Sequence, residues 1–256
     1  MSRRLAKQLI YGFFYLLILA GLIAGVYFEF LKSAPNCFDG KLNQDEAEID
    51  CGGPNCADCA LKRLKPLKVL PIQIFELGEK SVTALIEIRN PNLNYGASKF
   101  IYDLNFYDNS GNILETITDE SFIYAGEIKN IVLAPLEVDF RLVGKSELIP
   151  RDFIWQKPEV FERPETNARE IITKVESAGI AVQGVVQNKN SYFIDKAVVS
   201  AVIFGNSGLP LGASKTFVAD LKPFEDRFFR IFIPASPDDL KNLDPKLTRT
   251  YIESRR

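Results

Sequence analysis

Cys37, Cys51, Cys56 and Cys59 are the only cysteines of a 256-residue chain, and their crowding limits the chemistry they could do. They stand in Cys37-Phe-Asp39-Gly40-Lys-Leu-Asn43-Gln-Asp45-Glu46-Ala-Glu48-Ile-Asp50-Cys51-Gly52-Gly53-Pro54-Asn55-Cys56-Ala-Asp58-Cys59. So few apolar side chains cannot bury a core, so covalent or metal cross-links must hold the segment if it folds. Two disulfides are the favoured account, with all three pairings open. A four-cysteine zinc site is the rival. Cys56-x-x-Cys59 has ligand spacing, but Cys37 and Cys51 do not form a second short knuckle. A redox Cys-x-x-Cys has less support, because no strand-to-helix pattern surrounds it. Asp39, Asn43, Asp45, Glu46 and Asp50 offer the hard oxygen ligands that calcium takes, but at a spacing unlike an EF-hand loop. A solvated acidic turn beside disulfides is the simpler reading.

The rest of the composition narrows the function further. The chain has no histidine, which excludes Ser-His-Asp and Cys-His catalysis, His-ligated zinc and a histidine pH switch. Net charge is −2, and no basic stripe interleaved with aromatics is present, so nucleic acid is not an expected partner. Neither a G-x-S-x-G nor a Walker loop occurs, and no catalytic residue or cofactor is assigned.

The elements that must position the cysteine segment begin with an apolar stretch from Leu9 to Leu31, broken only by Glu29. At about 1.5 Å per residue it would span the roughly 30 Å hydrocarbon core. Arg3, Arg4 and Lys7 precede it and a mostly acidic run follows Lys32, which puts residues 1–8 in the cytoplasm and the chain beyond the 9–31 span outside. The stretch exceeds the apolar region of a cleaved signal peptide, and Ala34-Pro35-Asn36 before Cys37 lacks the small, apolar pattern of a lipoprotein signal, so an uncleaved single-pass anchor of the cell membrane is expected.

Beyond the cysteine segment (32–60) and a basic linker (61–68), strand patterns dominate. Val82, Ala84, Ile86 and Ile88 alternate with Thr83, Glu87 and Arg89, and Phe100, Tyr102, Leu104 and Phe106 with Asp103 and Asn105. Asp108-Asn-Ser-Gly111 supplies a turn. The order recurs at an offset of about 98 residues: Asn90-Pro-Asn92 with Asn188-Lys-Asn190, Asn109-Ser-Gly111 with Asn206-Ser-Gly208, and Glu127 with Glu225. The expected fold is mainly β: a transmembrane helix, a cysteine-rich segment and two antiparallel immunoglobulin-like β-sandwiches of about seven strands each in tandem. They occupy 69–140 and 171–234, with 141–170 as their connection and 235–256 as a solvated tail. Phe153-Ile-Trp155 reads as a packed edge segment, and the Asn-rich turns read as structural.

The cysteine segment resembles a motif of prokaryotic secreted and surface proteins, approximately C-x-DG-x-x-N-x-x-E-x-x-x-DCGG-x-C-x-x-C, matched by Cys37, Asp39, Gly40, Asn43, Glu46, Asp50, Cys51, Gly52, Gly53, Cys56 and Cys59 with one extra residue. That resemblance implies a location outside the cytoplasm. Ile86-Glu-Ile-Arg-Asn90-Pro-Asn92 followed by Leu104-Asn-Phe-Tyr-Asp108-Asn-Ser-Gly111 resembles the sandwiches of the late-embryogenesis-abundant type 2 and FxLYD families. Val185-Val-Gln-Asn188 and Val202-Ile-Phe204 do so more faintly. Three functions follow as expectations. The first is a non-enzymatic envelope module that binds a surface macromolecule or acts as a spacer. The second, implied by the resemblance, is stress protection. The third is a metal-dependent sensor centred on the cysteine segment.

Overall fold

The computed structural model describes residues 3–28, 36–43, 45–78 and 80–256. Helix α1 (Arg3–Val26) carries Leu, Ile, Phe and Ala on every side, and its 7–26 stretch is long and apolar enough to cross a membrane, with none of it buried inside the protein. A helix apolar all round has no soluble neighbour to face, which suits a lipid environment. Residues 29–31, the far end of the expected span, lie outside the described residues. The chain divides into two compact units, 1–64 and 65–256.

The second unit holds two antiparallel β-sandwiches. The first contains β1 (Lys68–Val69), β2 (Gln73–Gly78), β3 (Ser81–Arg89), β4 (Gly96–Tyr107), β5 (Ile113–Ile123), β6 (Ile128–Leu136) and β7 (Lys145–Gln156). One of its sheets centres on β3, with β6 along one edge and β1 then β2 along the other; its second sheet runs β5-β4-β7. The other sandwich contains β8 (Thr166–Glu176), β9 (Gly179–Asn188), β10 (Ile194–Phe204), β11 (Pro210–Leu221), β12 (Asp226–Pro234) and β13 (Arg249–Ser254). Its sheets are β12-β9-β8 and β11-β10-β13. Strand for strand this repeats the first sandwich, with the single bulged β8 in place of β1 and β2. The expected seven strands per copy become seven and six.

Two expectations are corrected. Residues 145–156, expected within the connection, form β7 and pair with β4 from Lys145↔Tyr107 to Gln156↔Gly96. Pro150 does not prevent this because an edge strand needs ladder donors on one side only. Phe153 and Trp155 pack on the first core from that edge, with their rings stacked 5.2 Å apart. The expected tail instead forms a short helix α2 (Pro237–Asn242), a 3-10 turn (Pro245–Leu247) and β13, which pairs with β10. Asp239 is not a tail carboxylate: it closes a capping box with Ser236.

The cores explain which strands alternate. Val82, Ala84, Ile86 and Ile88 of β3 face Phe100, Leu104 and Phe106 of β4 in the first core. Ile180, Val182 and Val186 of β9 face Ala197, Val199, Ala201 and Ile203 of β10 in the second. On the opposite faces of β3 and β10, Leu85, Val132, Val202 and Ala213 form a third buried cluster, with Phe75, Phe204 and Tyr251 against it. The β3 and β10 sheets are therefore the inner pair of a four-layer stack. Strands covered on both faces read as continuous apolar runs, as Ala84 to Ile86 and Ala201 to Ile203 do.

Candidate functional site

In the cysteine segment, disulfides join Cys37 to Cys56 and Cys51 to Cys59, so no thiolate is left for zinc or for a redox pair. The groups that approach closely enough to share an ion are Cys37, Glu46 and Cys56, and Glu48, Cys51 and Cys59, each with its sulfurs already bonded. The calcium candidates are arranged around the same links. Glu46 is buried, and its Oε2 accepts from the backbone N–H groups of Asn43 (3.3 Å) and Asp50 (3.1 Å). Asp50 accepts the Gly40 N–H on both carboxylate oxygens, and Asp39 accepts from Lys41 N and from Asn43 Nδ2 (2.9 Å). The Asn43 bond comes first among the causes that hold the Asp39 carboxyl below its ordinary range. Asp39, Asn43, Glu46 and Asp50 thus form one network folded onto the loop's own amides, while Asp45 sits exposed with φ +60°. Gly53 is obligatory, since at φ +71° a Cβ would stand 2.2 Å from the Asp45 carbonyl oxygen.

The Asn-rich turns are the same device built twice. Asn90 Nδ2 donates to the carbonyls of Tyr95 and Tyr124, and its Oδ1 accepts from the backbone N and Nδ2 of Asn92. Asn92 in turn clasps both backbone groups of Lys65, at 2.9 and 2.8 Å. In the second copy Asn188 Nδ2 donates to the carbonyls of Tyr192, Leu221 and Lys222, and Asn190 clasps Glu165. Glu127 accepts from Tyr124 N where Glu225 accepts from Lys222 N. Both Asn90 and Asn188 are buried, so the structural reading of the turns has a definite content: they satisfy carbonyls that strand ends would leave orphaned.

The residues that join the two sandwiches carry no motif and escape sequence reasoning. The side chain of Lys129, 2% exposed, pairs with Glu253 at 2.9 Å, donates to the Phe122 carbonyl and stands 3.6 Å from the Phe122 ring centre. Tyr124 Oη donates to the Ser254 carbonyl at 2.8 Å, and burial holds its phenol protonated well above the ordinary range. The chain between the copies is pinned as well. Phe161 stacks on Tyr124 at 4.5 Å, and Arg163 reaches Glu127. The available signal was the offset of about 98 residues, which pairs the strands of the two copies but says nothing of what lies between them. Beside the seam a groove of about 660 Å³ runs between β2 and the start of β11, floored by Phe75, Leu77, Leu211 and Ala213. Thr83 and Ser200, on the seam faces of β3 and β10, are sealed from solvent with unpartnered hydroxyls, which removes them as nucleophiles.

No known protein family matches the chain, and no curated protein does. Among solved structures the chain is similar to red sea bream transglutaminase at 11% identity and a TM-score of 0.22, over 76% of this chain and 30% of that one. It is also similar to the N-terminal CBM22-1–CBM22-2 tandem domain of Paenibacillus barcinonensis Xyn10C, at 10% identity and a TM-score of 0.13, over 74% of this chain and 83% of that one. The chain spans less than a third of the transglutaminase, and likenesses this low carry neither fold nor function across.

Proposed function

We propose that this protein is a single-pass, membrane-anchored, extracytoplasmic module that holds a rigid pair of sandwiches at the cell surface as a spacer or binding platform and performs no reaction. The seam carries this reading. Two sandwiches joined only by a short connection would move independently, whereas a buried ion pair, a shared apolar cluster and a C-terminal strand bonded to both copies make them one body. The disulfides support an oxidising compartment, and α1 supports an anchor with its basic residues in the cytoplasm. The test combines two measurements on native membranes. Alkylation before reduction should leave all four cysteines blocked, and a membrane-impermeant cross-linker on intact cells should join the sandwiches to a surface macromolecule. Four reactive thiols would overturn the topology, and saturating cross-linking without a conjugate would leave only the spacer role.

A further inference from the structure

The duplication supplies an internal control for one strained residue. The turn before β6 runs Tyr124-Ala-Gly126-Glu127, closed by the Glu127 N–H on the Tyr124 carbonyl, with Gly126 at φ +66°. Its counterpart before β12 runs Lys222-Pro-Phe224-Glu225, closed by the same bond, with Phe224 at φ +57°. Such a turn wants glycine at that position, and a bulky side chain there is an outlier. Phe224 gains no burial in return, being 68% exposed. The first copy reaches the same surface from the neighbouring loop, where Leu93 is 77% exposed with its Cδ2 beside Gly126. Each copy therefore presents one apolar side chain at this tip, and the second accepts backbone strain to do so.

Both tips lie at the same end of the pair. Tyr124 is bonded to Ser254, and the guanidinium of Arg256 stands 4.7 Å from the centre of the Tyr192 ring, which brings the second copy's turns beside those of the first. The chain also enters the sandwich unit at this end, through the Lys65 backbone clasped by Asn92. Lys65, Lys189 and Lys222 are exposed there. Exposed apolar tips among lysines, on the side where a membrane-anchored chain arrives, match a bilayer interface, which takes phenyl and leucyl groups below anionic headgroups.

We propose that Phe224 and Leu93 dip into the surface of the bilayer that holds α1, so that this end of the sandwich pair rests on the membrane. The contact rests on the reading of α1 as a retained anchor. The test uses the full chain in vesicles of phosphatidylcholine and phosphatidylglycerol brominated along the acyl chains. A Trp155→Phe background leaves one indole, introduced by Phe224→Trp or, at the opposite end of the sandwich, by Leu209→Trp. The expected result is a blue shift and loss of emission at position 224 and neither at position 209. Emission at 224 that stays unquenched, while the protein resists alkaline extraction, would overturn the contact and leave the anchor standing. A blue shift without quenching would mean a protein partner or second copy covers the tip, and also overturns it. Release of the chain by alkaline extraction would defeat the anchor and the contact with it.

Discussion

At the scale of single residues, the most consequential side chains are those with no chemical role. Asn188 serves three carbonyls and holds Asn190 in place, so Asn188→Ala would leave buried acceptors unpaired. We expect a loss of about 3 kcal/mol, read from urea unfolding, and no rescue by Asn188→Asp, whose carboxylate cannot donate to them. Phe224 should respond in the opposite sense. A left-handed backbone costs a non-glycine residue about 1–2 kcal/mol, part of which glycine returns through its own chain entropy. Phe224→Gly is therefore expected to raise stability in detergent by about 0.5–1 kcal/mol, which the urea midpoint checks. A destabilised variant would show that the exposed ring packs on something in the folded chain.

At the scale of elements, β3 and β10 are covered on both faces, and what covers their outer faces is held at one end by a buried charge. Removing Glu253 strands the Lys129 ammonium, whose surroundings are otherwise the Phe122 ring and one carbonyl. Glu253→Ala should cost about 3–5 kcal/mol, while Lys129→Met combined with Glu253→Leu should recover most of it; a thermal series on the three variants decides. Sequence patterns revealed the strands whose core-facing residues alternate regularly. In β4 the aromatic alternation at Phe100, Tyr102 and Phe106 is unambiguous, and the recurrence of the Asn turns placed its counterpart β10. The edge strands β7 and β13 were hidden because they offer little regular apolar alternation. In β7, Pro150 and the charges of Arg151 and Asp152 resemble a linker, and in β13 Arg249-Thr-Tyr-Ile-Glu-Ser254 resembles a tail until its partner strand is known. The cysteine segment was legible as a cross-linked unit, but its pairing was not, because spacing alone permits every connectivity. The seam was illegible for a different reason: Lys129 and Glu253 are distant in sequence and of types ordinarily found in solvent.

At the scale of the whole molecule, the two compact units should respond separately to reduction. A reductant is expected to make residues 37–59 sensitive to protease while the thermal transition of 65–256 stays in place, which limited proteolysis with mass analysis and a melting scan would show. Acid should act on the sandwiches. The Arg151 guanidinium holds Asp103 below the ordinary value of 3.8, Asn112 does the same to Asp108, and Arg227 holds Glu225 below 4.5. Carboxyls lowered in the folded state contribute stability that is complete above their unfolded values and disappears as pH falls through the folded ones. The melting temperature should therefore be flat near neutrality and decline below about pH 4, and Asp103→Asn should flatten part of that decline. The position of β13 has a further cost in time. Synthesis completes the first sandwich at Gln156, yet the strand that reaches its Lys129 and Tyr124 is finished only at Ser254. At ordinary elongation rates roughly 100 residues, or about 5–20 s, separate the two events. Until Val202 and Ala213 emerge, Leu85 and Val132 stand uncovered on the nascent chain, and any polypeptide released before them keeps an open, adhesive sheet that quality-control proteases can recognise as unfinished, while one released before Glu253 covers that sheet but leaves the Lys129 ammonium without its carboxylate.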